Sequence, residues 1–339
     1  MTVNYVFKAS RVAREVERAP APGVLVLPVQ AAADVVPAFD RPAADEVPRI
    51  DQPRAEEVPA GAPRPEGALP ASRNLPVKWT PPESRLILVG KSRGGVGATS
   101  VAVNLALELQ KSRRLFGPSR AHRVALIDFD IQFGNAGSFL DLGDRGGMLA
   151  LLRLREDPDA QAVRNAMLTH PSGLRVLVAP RNAIPLEALD TGRVEAILAA
   201  LTAEYDYIVA DLPPALVPWL EPLIVRASRL LLVTDLSVPA VACTRRVLDL
   251  IREDNPAIAT EIVVSRERKP MIERRLHREA AAAIGLPLSH WLPDEAKLAR
   301  QALDRGEPLS QLAPRSAWTK SVRQIAASIQ ASHLMETKA

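Results

Sequence analysis

From Leu86 onward, short apolar runs alternate with segments of helical period. The runs LILVG (86–90), RVALIDFD (123–130), LRVLVAP (174–180), YDYIVADLPP (205–214), RLLLVTD (229–235), EIVVS (261–265) and LSHWLP read as buried strands. Between them Val101–Lys111, Pro185–Glu204, Val238–Glu253, Ile272–Ile284 and Asp294–Asp304 carry apolar residues at helical spacing. Strands that lack polar alternation and are separated by helices predict a mostly parallel sheet covered on both faces. The predicted fold is therefore a doubly wound α/β domain over residues 85–335, with its ligand site at the carboxyl ends of the strands. A last helical stripe, Trp318, Val322, Ile325 and Ile329, reads as docking onto the core rather than as a membrane anchor.

The chain before Leu86 has another texture. Residues 1–18 suit a short amphipathic docking helix, with Val6, Val12 and Val16 roughly on one side. Residues 1–85 hold 14 of the 30 prolines, and the Pro/Ala-rich stretch 19–84 predicts a disordered arm, because proline removes donors and restricts its predecessor. Charge adds little: 43 basic against 39 acidic residues give net +4, too small over 339 residues to mark a nucleic-acid binder. The densest basic stretch, Arg266 to Arg278, is interspersed with Glu267 and Glu273 and reads as a solvated helix face. DNA is therefore not an expected partner. The single cysteine, Cys243, excludes an internal disulfide and a Cys-based zinc site. The most apolar region, Leu220 to Val241, is broken by charges and prolines and cannot be a membrane span. The expected compartment is the cytoplasm, with any membrane or cell-pole association made through partners.

The first strand runs into Lys91-Ser92-Arg93-Gly94-Gly95-Val96-Gly97-Ala98-Thr99-Ser100, and a helix follows. A strand, a glycine-rich turn, a hydroxyl and a helix make the arrangement that holds a polyphosphate. The glycines let backbone N–H groups approach oxygens, the helix N-terminus adds its dipole, and Thr99 can ligate Mg²⁺. Residues 94–100, that is Gly94, Gly95, Val96, Gly97, Ala98, Thr99 and Ser100, are the candidate phosphate cradle. The general pattern G-x-x-x-x-G-K-[ST] is met at Gly97 and Thr99, but Ala98 stands where the lysine belongs. That loss predicts weaker binding and, more severely, slow hydrolysis. Arg93 is the first candidate for a replacement cation, ahead of Lys91.

The stretch from Arg93 to Thr99 resembles the deviant Walker A loop of the MinD/ParA ATPases, a P-loop NTPase family with the pattern x-K-G-G-x-G-K-[ST]. Arg93 falls at the signature-lysine position, and the resemblance implies that it acts in trans, on a nucleotide held by the partner of a homodimer. The R-G-G-V-G-A-T loop is similar to the CpaE/TadZ branch, which localises and helps assemble the Flp (Tad) type IV pilus machinery. Asp128-Phe129-Asp130-Ile131-Gln132-Phe133-Gly134 with Leu140-Asp141-Leu142, and His170-Pro171-Ser172-Gly173-Leu174, resemble the same branch. The receiver-like domain typical of CpaE proteins has no counterpart in residues 1–85. The resemblance implies ATP and Mg²⁺ as cofactors, at most a weak ATPase activity, and pilus or secretion-machinery partners such as a secretion ATPase or an inner-membrane platform. The competing expectations are a ParA-like ATPase positioning DNA or another cargo, and a pseudo-ATPase scaffold that binds no nucleotide.

Three carboxylates complete the expectation. Asp130 closes the second apolar run, at the edge of the phosphate loop, and the family's aspartate there orients the attacking water. Asp128 points to the same strand face. Asp211 sits at the tip of a buried strand, where a carboxylate needs a cation, and the resemblance gives it Mg²⁺ through water. Asp235 ends the next strand without a motif. Pro293 and Asp294, at the start of a helix, resemble the family's loop beside the adenine.

Overall fold

The computed structural model describes residues 85–111 and 121–336, with side chains to His333. The expected docking helix (1–18) and arm (19–84) lie outside the described residues. The chain forms, in order, β1 (Arg85–Lys91), α1 (Ala98–Gln110), β2 (Val124–Asp128), α2 (Gly147–Leu152), α3 (Ala160–Ala166), β3 (Leu168–Thr169), β4 (Arg175–Leu177), α4 (Thr191–Thr202), β5 (Tyr207–Asp211) and α5 (Glu221–Arg226). It continues through β6 (Arg229–Thr234), α6 (Val238–Asp254), β7 (Ala259–Ser265), α7 (Arg275–Ile284), β8 (His290–Leu292), α8 (Ala296–Arg305), α9 (Leu309–Leu312) and α10 (Ala317–Glu336). The sheet order is β3-β4-β2-β5-β1-β6-β7-β8. Every neighbouring pair is parallel except β3 with β4. The doubly wound α/β expectation is met.

Both faces of the sheet are buried, which is why its strands read as continuous apolar runs. In β1, Ile87 and Val89 face the layer of α1 and α10, while Leu86 and Leu88 face α4 and α5. The strand period of two assigns residues to layers in the same way in β2 and β5: Leu126 and Val209 join the α1 layer, Ile127 and Ala210 the other. The α1 layer therefore also claims the ends of these strands, Lys91, Asp128 and Asp211, by parity.

Helix α1 is held along its length. Asn104, fully buried, donates to Ser100 O at 2.8 Å and accepts from Ser310 N at 2.7 Å, which ties it to α9. Buried Glu108 takes Lys111 at 2.6 Å and Arg323 of α10 at 3.2 Å. Gln330 donates to Leu109 O and Lys111 O at 3.1 and 3.0 Å and so satisfies carbonyls that the helix end leaves open. Trp318, Val322, Ile325 and Ile329 are buried against this layer, as their stripe predicts. No helix among the described residues is long and apolar enough to cross a membrane.

The structure adds α2, α3, α5 and β3 to the expected elements. Each is two to seven residues long, too short for a hydrophobic period to show. The second strand stops at Asp128, so Asp130 lies on the turn beyond it rather than at the strand's end.

Ile325 is fully buried between α10 and the sheet layer. Ile325→Ala is expected to destabilise the domain by about 2–5 kcal/mol, read from urea unfolding curves. An exposed, membrane-facing helix would lose almost nothing.

Candidate functional site

The segment Ser92–Gly97 leaves β1 at the centre of the sheet and enters α1. Gly95 and Gly97 have φ of +77° and +92°, where a side chain is strained. A Cβ at Gly94 or Gly95 would meet nothing within 4 Å, so the loop presents open backbone. Gly97 caps α1 and accepts from Val101 N at 3.1 Å, and no acidic residue occupies the helix's first turn. Ser92 N is fixed to Val233 O at 3.0 Å, and Arg266 donates to Gly95 O at 2.6 Å. The loop is thus pinned at its start and middle, with free N–H groups at the mouth of α1.

Below it the parallel register sets Asp128 beside Asp211, and Asp211 beside Val89. Lys91 stands over this pair. Its Nζ donates to Asp130 Oδ2 at 3.0 Å and lies 3.9 Å from Asp211 Oδ1. Thr99 donates from Oγ1 to Asp211 Oδ2 at 2.6 Å. Asp211 is fully buried, and its Oδ1 has no hydrogen-bond partner. An orphaned carboxylate oxygen beside a threonine hydroxyl is a donor set that suits a hard cation, chiefly one that keeps part of its water shell. Among the described residues, no three His, Cys, Asp or Glu side chains form a cage able to hold a metal by themselves.

The carboxylates do not share one role. Asp128 turns to the backbone, accepting from Asp130 N at 3.1 Å and Ala136 N at 2.9 Å. Burial, and then the charge of Asp211, push its carboxyl up to about 8. Burial raises Asp211 to about 6, against the pull of Lys91 and the Thr99 hydroxyl. Asp130 keeps one oxygen for Lys91 and the other for Phe133 N at 3.2 Å. The upward shift of Asp128 favours its neutral form, which relieves the crowding of negative charge.

Arg93 and Lys91 take different partners at the loop. Arg93, half exposed, turns from the carboxylates and pairs with Asp235 at the end of β6. Burial would raise the Asp235 carboxyl, but hydrogen bonds from Ser237 and the Arg93 guanidinium hold it below its ordinary value. Lys91 is the cation that meets Asp130 and Asp211, while both Lys91 and Arg93 line the cavity beside the loop. Strand parity was the available signal, since Lys91 shares the α1-facing side with Ile87 and Val89.

Two cavities flank the loop. One, of about 360 Å³, is lined by residues 93–100 with Lys91, Asp130 and Phe133. The other, of about 330 Å³, runs from Gly95–Gly97 to Ser265, Arg266, Pro293 and Asp294. The two cavities share Gly95, Val96, Gly97 and Ser100, with Gly94, Ala98, Thr99 and Asp130 on the first and Pro293 and Asp294 on the second. Asp294 also accepts from Ala296 N at 3.1 Å and so starts α8.

A family model described as an AAA domain matches residues 84–262, just over half of the chain. The septum site-determining protein MinD of Thermotoga maritima is 27% identical over 194 residues, covering 56% of this chain and 66% of that protein. The chain belongs to the MinD/ParA family of ATPases. The chromosome partitioning protein ParA of Myxococcus xanthus is 35% identical over 147 residues, covering 39% of this chain and 45% of that protein. The chain spans less than two thirds of either relative's length. The same fold is seen in a ParA family ATPase from Chlorobium tepidum, with a TM-score of 0.60 at 20% identity over 72% of this chain and 98% of that one. It is seen again in MinD from Pyrococcus horikoshii, solved with Mg-ADP, with a TM-score of 0.57 at 17% identity over 73% of this chain and 96% of that one.

The raised carboxyls of Asp128 and Asp211 give the free protein a pH signature. The folded state holds protons that the unfolded chain releases, so the stability they contribute is full at acid pH and is lost as pH rises through about 6 and about 8. In Mg²⁺-free and nucleotide-free buffer, the thermal midpoint should fall as pH rises from about 6.5 to about 8, above the range in which the lowered His170 and His290 act in the opposite sense. Asp128→Asn should start lower, because its amide turns a donor onto a backbone N–H, but should lose less over that range.

Proposed function

We propose that the chain is a slow, Mg-ATP-binding switch that dimerises on nucleotide and localises or scaffolds a Flp (Tad) type IV pilus or secretion machine. The observation that carries it is the trough in which the glycine loop, Thr99, Asp211, Asp130 and Lys91 meet. In this reading the N–H groups of residues 94–100 hold the phosphates, and Pro293 and Asp294 border the base. Thr99 and Asp211, the latter through water, hold Mg²⁺, which when bound neutralises and bridges phosphate oxygens. Asp130 orients the attacking water.

Lys91 takes over part of the charge that Ala98 leaves out. It comes from the strand below the loop, not from the helix mouth, so it steadies bound phosphate but is not aimed at the leaving oxygen. Low turnover follows. Arg93 reaches outward, and leaving Asp235 for the partner's nucleotide would give it the trans role. The pilus assignment rests on the R-G-G-V-G-A-T loop and the D-F-D-I-Q-F-G and H-P-S-G-L segments, which resemble CpaE/TadZ proteins. Partner binding has a precedent in the Aquifex aeolicus MinC:MinD cell division protein complex, which shares the fold at 23% identity. Membrane or cell-pole placement would come through such partners.

Calorimetry with Mg-ATP, paired with light scattering, tests the reading. The wild type should bind saturably and double its mass. Arg93→Ala should bind yet stay monomeric. Lys91→Met should bind about tenfold or more weakly, the worth of a charge-assisted hydrogen bond. Ala98→Lys should raise turnover by about tenfold or more by restoring a transition-state cation. No heat and an unchanged mass for the wild type would overturn the switch.

A further inference from the structure

The connection from β7 to α7 carries a surface that the nucleotide site does not use. Its base is fastened: Glu267 N donates to Leu292 O at 3.0 Å, and the Glu267 carboxylate lies 2.8 Å from His277 Nε2. It begins at Arg266, whose backbone has φ of +62°, one of two such non-glycine residues among those described. Beyond this base the chain puts its least covered apolar side chains into water. Met271 is 103% exposed and Ile272 83%, with Leu276 of α7 at 51%. Elsewhere among the described residues the large exposed apolar side chains stand singly; here two are consecutive and a third follows one helical turn later.

The charges around this tip are mostly basic. Arg268, Lys269 and Arg274 are exposed and have no carboxylate partner among the described residues. Arg275 is taken by Glu279 at 2.6 Å, and Glu267 is turned to His277, which leaves Glu273 as the acid of the tip. Adjacent exposed apolar groups are costly unless something covers them. A duplex backbone would meet the cations but leave Met271 and Ile272 in water. An anionic bilayer satisfies both, with the apolar tip in the headgroup–acyl boundary and the cations among lipid phosphates. We propose that residues 266–276 form a contact loop for an anionic lipid surface, with Met271 and Ile272 inserting and Arg268, Lys269 and Arg274 binding headgroups. This surface differs from the last helix, which is spent on the core. The loop is short and its grip modest, so two copies on one membrane would hold far better than one.

Co-sedimentation of the full chain with vesicles tests it, using phosphatidylcholine alone and phosphatidylcholine mixed with phosphatidylglycerol, each with and without Mg-ATP. The wild type should sediment with the anionic vesicles and stay in solution with the neutral ones. Arg268→Glu with Lys269→Glu should weaken binding by roughly 30-fold or more, at about fivefold for each cation lost near the surface. Met271→Asp with Ile272→Asp should lose binding as well, although the cations remain. These four positions are exposed, so unchanged thermal midpoints are expected. A wild type that stays in solution with anionic vesicles in both nucleotide conditions overturns the proposal, and so does full binding by the Met271/Ile272 variant. Retention of duplex DNA that the charge reversal abolishes, with no vesicle binding, would make the loop a nucleic-acid face and overturn it equally.

Discussion

The site depends on keeping three carboxylates close together out of water. Parallel pairing of β2, β5 and β1 places Asp128 and Asp211 in register at one sheet edge, and the turn after β2 adds Asp130. Such crowding is tolerable only if protons, cations or donors meet each oxygen. The fold supplies most of them: backbone N–H groups for Asp128, whose carboxyl burial also pushes up, Thr99 and the nearby Lys91 for Asp211, and Lys91 and Phe133 N for Asp130. One oxygen of Asp211 makes no hydrogen bond and has only Lys91 Nζ nearby, at 3.9 Å.

The phosphate loop depends on that arrangement and on the layer behind it. Gly97 opens α1, and α1 is fixed by Asn104 to α9 and by Glu108 and Gln330 to α10. The buried stripe of α10 is therefore a support for the helix mouth, which explains why this last helix is spent on packing. A second cavity runs from Gly95 to Pro293 because β7 and β8 bring their carboxyl ends to the same edge. Arg266, which grips Gly95 O, also opens the exposed basic and apolar loop, so that surface and the phosphate loop share one residue.

Much of this was legible in the sequence. Apolar runs without alternation give a parallel sheet buried on both faces, because only such strands need no polar side. The order strand, glycine turn, hydroxyl, helix marks the phosphate loop, because those features are local and contiguous. Asp211 was legible for a similar reason: a charge at the tip of an apolar strand needs a partner. The stripe of α10 is likewise a local period, and its burial follows from it. The short α2, α3 and α5 were not legible, since a turn or two of helix is too brief to set a period.

What the tertiary structure alone decided is which charge meets which. Lys91 and Arg93 are two residues apart, and the loop pattern favours Arg93 as the cation of the site. Lys91 is still in the strand, so strand parity and register carry it over Asp211. Arg93 lies past the strand's end, where the loop turns it to Asp235. The same holds for the separation of Asp128 from Asp130: the turn at Ala136 buries one and leaves the other facing the trough. Local pattern determines elements and motifs because it acts through neighbouring residues. Ion pairing is settled between strands far apart in the chain, and only the packed sheet fixes those distances.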